Sequence, residues 1–416
     1  MGWSLADQAL TSLTNFALGI AVARSVGPSD FGAFSLAFAT YLAMLNASRA
    51  VATQPLLIRY VAVPISVWRR GTQMAAGTVL ALGLIGGLGC IAVAAVVRGP
   101  LGDALIALGI TLPGLLVRDT WRFAFFAAGR GRDAFTNDLA MLLVLVPALG
   151  VPAVSGHPSV LLATFAWGGA GVVASVIGGL QARARPLPRL ATTWWHEQRD
   201  IAGRYAGEVA TDALAVQLSI YAIAAIAGLA AVGALRASDL LLGPLNILLQ
   251  GLYLVAIAEG VRFLQVSARR LRDACLFLSA GLAGATIVWG SGMLALPESV
   301  GTSLLGASWG PGRSVLFPGM LALAGLSTII GAWVGLRSLA AARRSFRARV
   351  LSSTTTLGCA VVGATLGGTS GAAWGFVVGN WIGVAIWWWQ FAAALRDHRF
   401  SLERDTAKVE PVPSGK

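Results

Sequence analysis

The sequence predicts an all-α integral membrane protein of about twelve transmembrane helices, in two sets of six, with both termini cytoplasmic. Three observations carry this. Hydrophobic residues make up 56% of the chain and charged residues only 12%, whereas a soluble domain carries about 25% charged residues. Apolar runs of bilayer-crossing length, about 20 residues, follow one another along the whole chain. The loops between them are alternately arginine-rich and nearly charge-free, which is the positive-inside pattern of a multispanning protein.

The predicted spans lie at roughly 5–26, 32–58, 72–97, 101–128, 135–154 and 158–180, then 206–231, 236–260, 273–295, 314–336, 349–366 and 371–395. Of 31 lysines and arginines, all but seven sit in every second gap or in the tail, which fixes those gaps as cytosolic. Arg24, Arg98, Arg236 and Arg313 fall at external ends or gaps, and Arg49, Arg118 and Arg122 fall within spans. External connections are short and turn-like, as in Gly27-Pro28-Ser29-Asp30. The stretch 181–205 holds Pro186, Pro188 and Trp194-Trp195. It reads as a cytosolic linker between an amino-terminal lobe, 1–180, and a carboxy-terminal lobe, 206–396, with its tryptophan pair at the membrane interface. The polar tail 397–416 reads as disordered.

The halves echo one another faintly. Phe31-Gly32-Ala33-Phe34 opens the second span and Val232-Gly233-Ala234-Leu235 opens the eighth, each apolar-Gly-Ala-apolar; six spans per half then imply parallel repeats. In the last span Gly367, Gly371, Gly375, Gly379 and Gly383 recur every fourth residue, a small-residue stripe suited to close helix packing in lipid.

Several function classes drop out. The net charge of +13 belongs to topology and to anionic headgroups rather than to nucleic acid. The only lysines, Lys408 and Lys416, lie in the tail, so no phosphate-binding Walker loop exists. His157, His196 and His398 lie in loops or the tail, and no metal site or cofactor is expected. Cys90, Cys275 and Cys359 are far apart within apolar runs and read as packing residues. The first apolar run begins almost at Met1 without a basic leader, so no cleavable signal peptide is expected. No extramembrane stretch is long enough for a catalytic domain, so an enzyme is not expected. The predominance of Arg and Ala over Lys points by composition to a bacterial source.

Charged side chains at a helix centre cost roughly 2.5–3.5 kcal/mol on insertion scales, so they mark a wet cavity or a partner. In the second span Asn46, Arg49 and Thr53 lie near Pro55, with Arg49 and Thr53 on one face. In the fourth, Arg118, Asp119 and Arg122 occur together, and in the seventh Glu208 and Asp212. Arg118 and Arg122 either face a cavity or snorkel towards the cytosolic interface. Glu208 and Asp212 either pair with these arginines or take up a coupling proton or Na⁺. Arg24 either ends its helix or meets substrate. Arg24, Arg49, Arg118 and Arg122 are thus the substrate-binding candidates, and a basic cavity suits an anion, phosphate above all.

The passage Leu13 to Leu36, with Ala23-Arg24-Ser25-Val26-Gly27-Pro28 and Phe31-Gly32, resembles the start of bacterial polysaccharide (O-antigen-type) flippases of the multidrug/oligosaccharidyl-lipid/polysaccharide exporter superfamily. There the turn carries Leu where this chain has Val26. Val232-Gly233-Ala234-Leu235-Arg236-Ala237 followed by Gly243-Pro244, and Leu304-Leu305-Gly306-Ala307-Ser308-Trp309, are similar to further motifs of that family. The resemblance implies two six-helix lobes around a central cavity and alternating access. It implies a lipid-linked oligosaccharide, commonly on a polyprenyl pyrophosphate, moved across the bacterial cytoplasmic membrane, with glycosyltransferases and a glycan polymerase of the same pathway as partners. By matched position only Arg24 carries over. The alternatives are a drug or cation antiporter of the same superfamily, or a membrane-embedded glycan polymerase or ligase.

Overall fold

The computed structural model describes the backbone of residues 2–61, 63–154 and 159–409, with side chains outside 2, 4–5, 151–158, 200–214, 246–255, 257–258 and 399–409. Among the described residues there are helices and turns and no strand. The order is α1 (Gly2–Ser25), α2 (Pro28–Ser48), a π-turn (Arg49–Thr53), α3 (Gln54–Arg59), α4 (Ile65–Val96), α5 (Pro100–Ala127), α6 (Gly131–Val154), α7 (Val160–Ala182), a 3₁₀ turn (Pro188–Leu190) and α8 (Ala191–Ala227). It continues with α9 (Leu229–Val266), α10 (Ala268–Leu294), α11 (Glu298–Leu305), a 3₁₀ turn (Gly306–Ser308), α12 (Trp309–Ser338) and α13 (Ala342–Val409). Among the described residues eight helical stretches are long and apolar enough to cross a membrane. The chain is a multi-pass membrane protein.

Local chemistry explains the boundaries. Pro28 and Pro100 open α2 and α5 at the position where a missing N–H costs nothing. Ser159 and Ser267 cap α7 and α10 by accepting the amides of Leu162 and Arg270. Most predicted spans fall on one helical arm; the second runs over α2, the π-turn and α3, and the seventh overruns the end of α8 at Gly228. The last two spans share α13, which breaks at Gly367 and Gly368. Gly368 has φ 57° and ψ −131°, a conformation that essentially only glycine adopts.

That break corrects the glycine stripe: Gly367 lies in the turn, not on the helix. Gly371, Gly375 and Gly379 pack directly on Gly363, Cys359–Ala360 and Thr356 of the preceding arm, close enough that a Cβ would overlap the backbone of all three partners. The stripe is a helix-packing seam. A similar seam joins α4 to α5, where Gly87 sits on the Gly109 carbonyl. Pro113, inside α5, deprives that carbonyl of its ordinary helical donor.

The sequence reading of 181–205 as a linker changes most. Only the turn around Pro186 and Pro188 is non-helical, and α8 already begins at Ala191. Leu187 donates its amide to the Gln73 carbonyl of α4, over Gly77, whose missing side chain makes room for the Leu187 backbone. The tryptophan pair splits. Trp195 is 46% exposed, but Trp194 is fully buried, stacked on Tyr60 at 5.9 Å between centroids. The segment is docked because α4 and the π-turn offer it carbonyls and a glycine-lined seat.

By contact density the chain groups into one compact unit of Met1–Leu240 with Pro297–Arg313 and a second of Leu241–Leu296 with Ser314–Lys416. This cut differs from the six-and-six division of the sequence, because α8 packs on α2, the π-turn and α4. The first unit is centred on Phe31, Trp68, Trp121, Phe125 and Trp167, all buried. The second unit has its own core of Leu271, Cys275, Trp333, Trp387 and Phe391. Cys90 and Cys275 are buried and unoxidised, and Cys359 is half-buried.

The seam gives a paired test. Gly371→Leu forces a side chain into the Gly363 backbone and is expected to destabilise by at least the 1–3 kcal/mol typical of overpacking. Gly358→Ala meets nothing within 4 Å and is expected to stabilise its helix by roughly 0.5–1 kcal/mol. Thermal unfolding in detergent, followed by monodispersity, measures both.

Candidate functional site

The second span does not run as a plain helix. It passes through the π-turn Arg49–Thr53, in which the Gln54 amide bonds back to the Arg49 carbonyl; such single π-turns often lie at functional sites. Pro55 has no amide to give to Val51 four residues earlier. The Val51 carbonyl instead accepts the Trp194 indole N–H at 3.1 Å. Arg59, at the end of α3, donates to the Glu197 carbonyl and to Gln198 Oε1. The docked start of α8 therefore supplies the one hydrogen bond that the proline removed and accepts two more from Arg59.

Arg49 projects from this turn to α5. Its Nε donates to Asp119 Oδ2 at 2.9 Å and its Nη2 to Oδ1 at 2.7 Å, a two-pronged pair. Its guanidinium lies 5.2 Å from the Phe123 ring centroid. The arginine side chain is 30% exposed and the aspartate 6%, so one edge of the fork stays open while its partner is sealed.

One turn around α5, Arg118 and Arg122 face α1 and α6. Arg118 Nη2 donates to Asp138 Oδ1 at 2.6 Å. Arg122 Nε donates to Asp7 Oδ2 at 2.6 Å and its Nη2 to Gln8 Oε1 at 3.2 Å. Asp138 Oδ2 accepts Thr11 Oγ1 at 2.6 Å and lies 3.7 Å from Arg122 Nε. Asp7 is fully buried, and the two arginine side chains are about one-tenth exposed. Asp7 and Thr11 are four apart on α1 and so share a face; Arg118 and Arg122 are likewise four apart on α5.

The structure thus brings Arg118 and Arg122 together in one network and sets Arg49 beside it through Asp119. Neither Arg118 nor Arg122 snorkels: each is tied to a buried carboxylate, which costs less than reaching through the packed end of the helix. Three arginines meet three aspartates, so the cluster is balanced in charge. Asp7 and Asp138 are the partners that sequence reasoning missed. The signal was available, since three cations within spans of one half require counter-charges, and Asp7 and Asp138 lie inside the first and fifth spans. Glu208 and Asp212 fall on α8, but their side chains lie outside the described residues.

Arg24 stands apart, exposed at the end of α1, with no ion pair among the described residues. The motifs around it converge. A Cβ on Gly32 would overlap the Leu229 carbonyl, and one on Gly233 would overlap the Pro28 carbonyl and lie 3.0 Å from the Gly32 nitrogen. Gly306, at φ 57°, packs on the backbone of Arg24, with a Cβ there 2.9 Å from its carbonyl oxygen, and Ser308 Oγ donates to the Ala23 carbonyl at 3.4 Å. The two echoing tetrapeptides touch backbone to backbone. Arg236 lies over the Phe38 ring at 5.1 Å.

The fold is that of transporters of the MOP superfamily. The chain is similar to the lipid II flippase MurJ in an inward closed conformation, with a TM-score of 0.70 and 9% identity over 99% of this chain and 93% of that one. It is similar to an inward-facing multidrug resistance MATE family transporter, with a TM-score of 0.65 and 16% identity over 94% and 96% of the two chains. A MOP superfamily transporter from Pyrococcus furiosus Vc1, described as having a binding pocket of reversed polarity, gives 0.53 and 12% over 94% and 93%. No family model and no curated protein matches by sequence.

Two predictions follow from the geometry. Removing Asp7 or Arg122 alone strands a buried charge and is expected to cost about 3–5 kcal/mol. The paired replacement Asp7→Leu with Arg122→Met is expected to cost less than either, as a double-mutant cycle in unfolding measurements reads directly. Trp194→Phe leaves the Val51 carbonyl without a donor and is expected to cost about 1–3 kcal/mol by the same assay.

Proposed function

We propose that this protein is a flippase of the bacterial cytoplasmic membrane. In this reading it carries a lipid-linked oligosaccharide, on a polyprenyl pyrophosphate, from the cytosolic to the outer leaflet by alternating access, for cell-surface polysaccharide synthesis. The observation that supports it most is Arg49, an intramembrane arginine fixed by Asp119 on a π-turn and still partly open. Its pairing matters for the chemistry. A guanidinium already neutralised by one carboxylate holds a pyrophosphate by exchange: the phosphate oxygens take over donors that Asp119 occupies in the empty protein. The exchange keeps the arginine paired at each stage but releases the buried Asp119 carboxylate, which then has to take up a proton or meet another cation to avoid standing bare in a low-dielectric setting. Arg118 and Arg122 then brace the helix that carries Asp119, with Asp7 and Asp138 holding them in register.

Likeness to a lipid flippase and to drug transporters leaves a second reading with its own support, an antiporter of drugs or cations. The balanced charge of the cluster makes it less basic than the sequence suggested, and this removes one argument against the antiporter. A proton or Na⁺ gradient is the energy source expected in either case, with Glu208 and Asp212 as its proposed sites.

The test is leaflet translocation in proteoliposomes of a fluorescent polyprenyl-pyrophosphate oligosaccharide. Wild-type protein is expected to translocate, and Arg49→Ala to lose at least tenfold, the factor that corresponds to about 1.4 kcal/mol. Arg49→Lys keeps the charge without the fork and is expected to lose most of that activity too. Drug efflux with no glycan movement would overturn the flippase reading in favour of the antiporter.

A further inference from the structure

The cleft between α1 and α6 is separate from the arginine–aspartate network. It encloses about 560 Å³. Ala17 and Ala21 on α1 form its floor, and Leu142, Val146 and Leu149 on α6 form its wall. Arg24 stands at its rim. From Thr14, at the inner end, to Arg24 is ten residues, or about 15 Å of helix at 1.5 Å per residue.

The chemistry of this lining is narrow. Both walls are helical, so apart from the carbonyls that Pro147 and Pro152 of α6 leave without their helical donor, their backbone groups are satisfied internally and offer no ladder to an extended peptide. Thr14, the one hydroxyl deep in the cleft, already donates to the Leu10 carbonyl at 2.7 Å. Among the described residues no carboxylate lines the cleft. What it offers is a slender apolar trough ending in a guanidinium with no ion pair among the described residues.

We propose that this cleft is a binding site for an anionic glycerophospholipid of the leaflet on the Gly27–Pro28 side. One acyl chain lies along Ala17, Ala21, Leu142 and Val146, and the headgroup phosphate sits on Arg24. The trough has the length and polarity of a hydrocarbon chain, and an arginine fork matches a phosphate. A zwitterionic headgroup brings an ammonium group beside Arg24, with no carboxylate among the described lining residues to receive it, so an anionic lipid is preferred. The assignment stands on the cleft alone and does not depend on what the protein transports.

Native mass spectrometry of the full chain tests it, with phosphatidylglycerol and phosphatidylcholine of identical acyl chains. Wild-type protein is expected to retain phosphatidylglycerol roughly fivefold better, the preference one arginine near an anionic surface supports. Arg24→Gln should bring that ratio close to unity, and Arg24→Lys should restore part of it. Ala21→Phe fills the trough and should reduce retention of both lipids; Val146→Phe does so from the α6 side if the first variant does not fold. A preference unchanged by Arg24→Gln, or retention unchanged by both filling variants, would overturn the proposal. Displacement of bound phosphatidylglycerol by substoichiometric polyprenyl phosphate would also overturn it, by assigning the cleft to a carrier lipid instead.

Discussion

The cost of charge in a low-dielectric interior organises the first unit. Arg49, Arg118 and Arg122 cannot stand alone among helices packed as tightly as α1, α5 and α6. Each has a hydrogen-bonded aspartate, and Arg122 has Asp138 as a second neighbour, in geometry good enough to repay part of the desolvation. Because the partners lie on different helices, every pair is also a positional constraint. α5 is tied to the π-turn of the second span by Asp119, to α1 by Arg122, and to α6 by Arg118. Apolar packing in lipid has little directional preference, so these bonds do for register what a polar residue does in a coiled-coil seam. The same arithmetic limits the chemistry. A cluster neutral in sum attracts an anion only by exchanging one internal bond for an external one.

A single proline then links this cluster to the surface of the unit. Pro55 removes the amide that would close the helix on Val51, and the chain relaxes into the π-turn that starts at Arg49. The freed carbonyl recruits the Trp194 indole, and Trp194 brings the beginning of α8 with it. Tyr60 stacking, the bonds from Arg59 and the seat at Gly77 complete the docking. A local defect in one helix thus determines where the polypeptide goes after the sixth span, and it sets the angle from which Arg49 reaches Asp119.

Helix number and span positions were legible in the sequence because they follow from length and polarity alone. The fourth, fifth and sixth spans were placed within a few residues of α5, α6 and α7. Errors arose where a one-dimensional pattern stands for several three-dimensional outcomes. Regular glycine spacing signalled a helix stripe, yet Gly367 lies at a break, because φ/ψ freedom and close packing call for the same residue. The prolines and tryptophans of 181–205 read as a linker, since the carbonyl that captures Trp194 is 143 residues away in sequence. Within the site, the arginines were found by their cost, but Asp7 and Asp138 were passed over near the starts of their spans. Which carboxylate meets which arginine is a tertiary fact, absent from local spacing.

The residues behind the family resemblance divide sharply from those suited to chemistry. Gly32 and Gly233 allow two backbones to touch, and Gly306 adopts a left-handed conformation against Arg24. Pro28 starts a helix whose carbonyl receives the Gly233 contact. These positions build the junction of three chain segments, which accounts for their recognisable pattern, and they contact no cluster charge. The arginines and aspartates within the spans belong to none of those motifs. A frame specified by turn and contact residues constrains the fold while leaving the charged interior free to vary. The same architecture can therefore carry a lipid flippase and a drug transporter at identities of 9% and 16% to this chain. Among the described residues of the first unit, the charges buried within spans are three arginines held by three aspartates, and Arg49 is the most exposed of the three arginines.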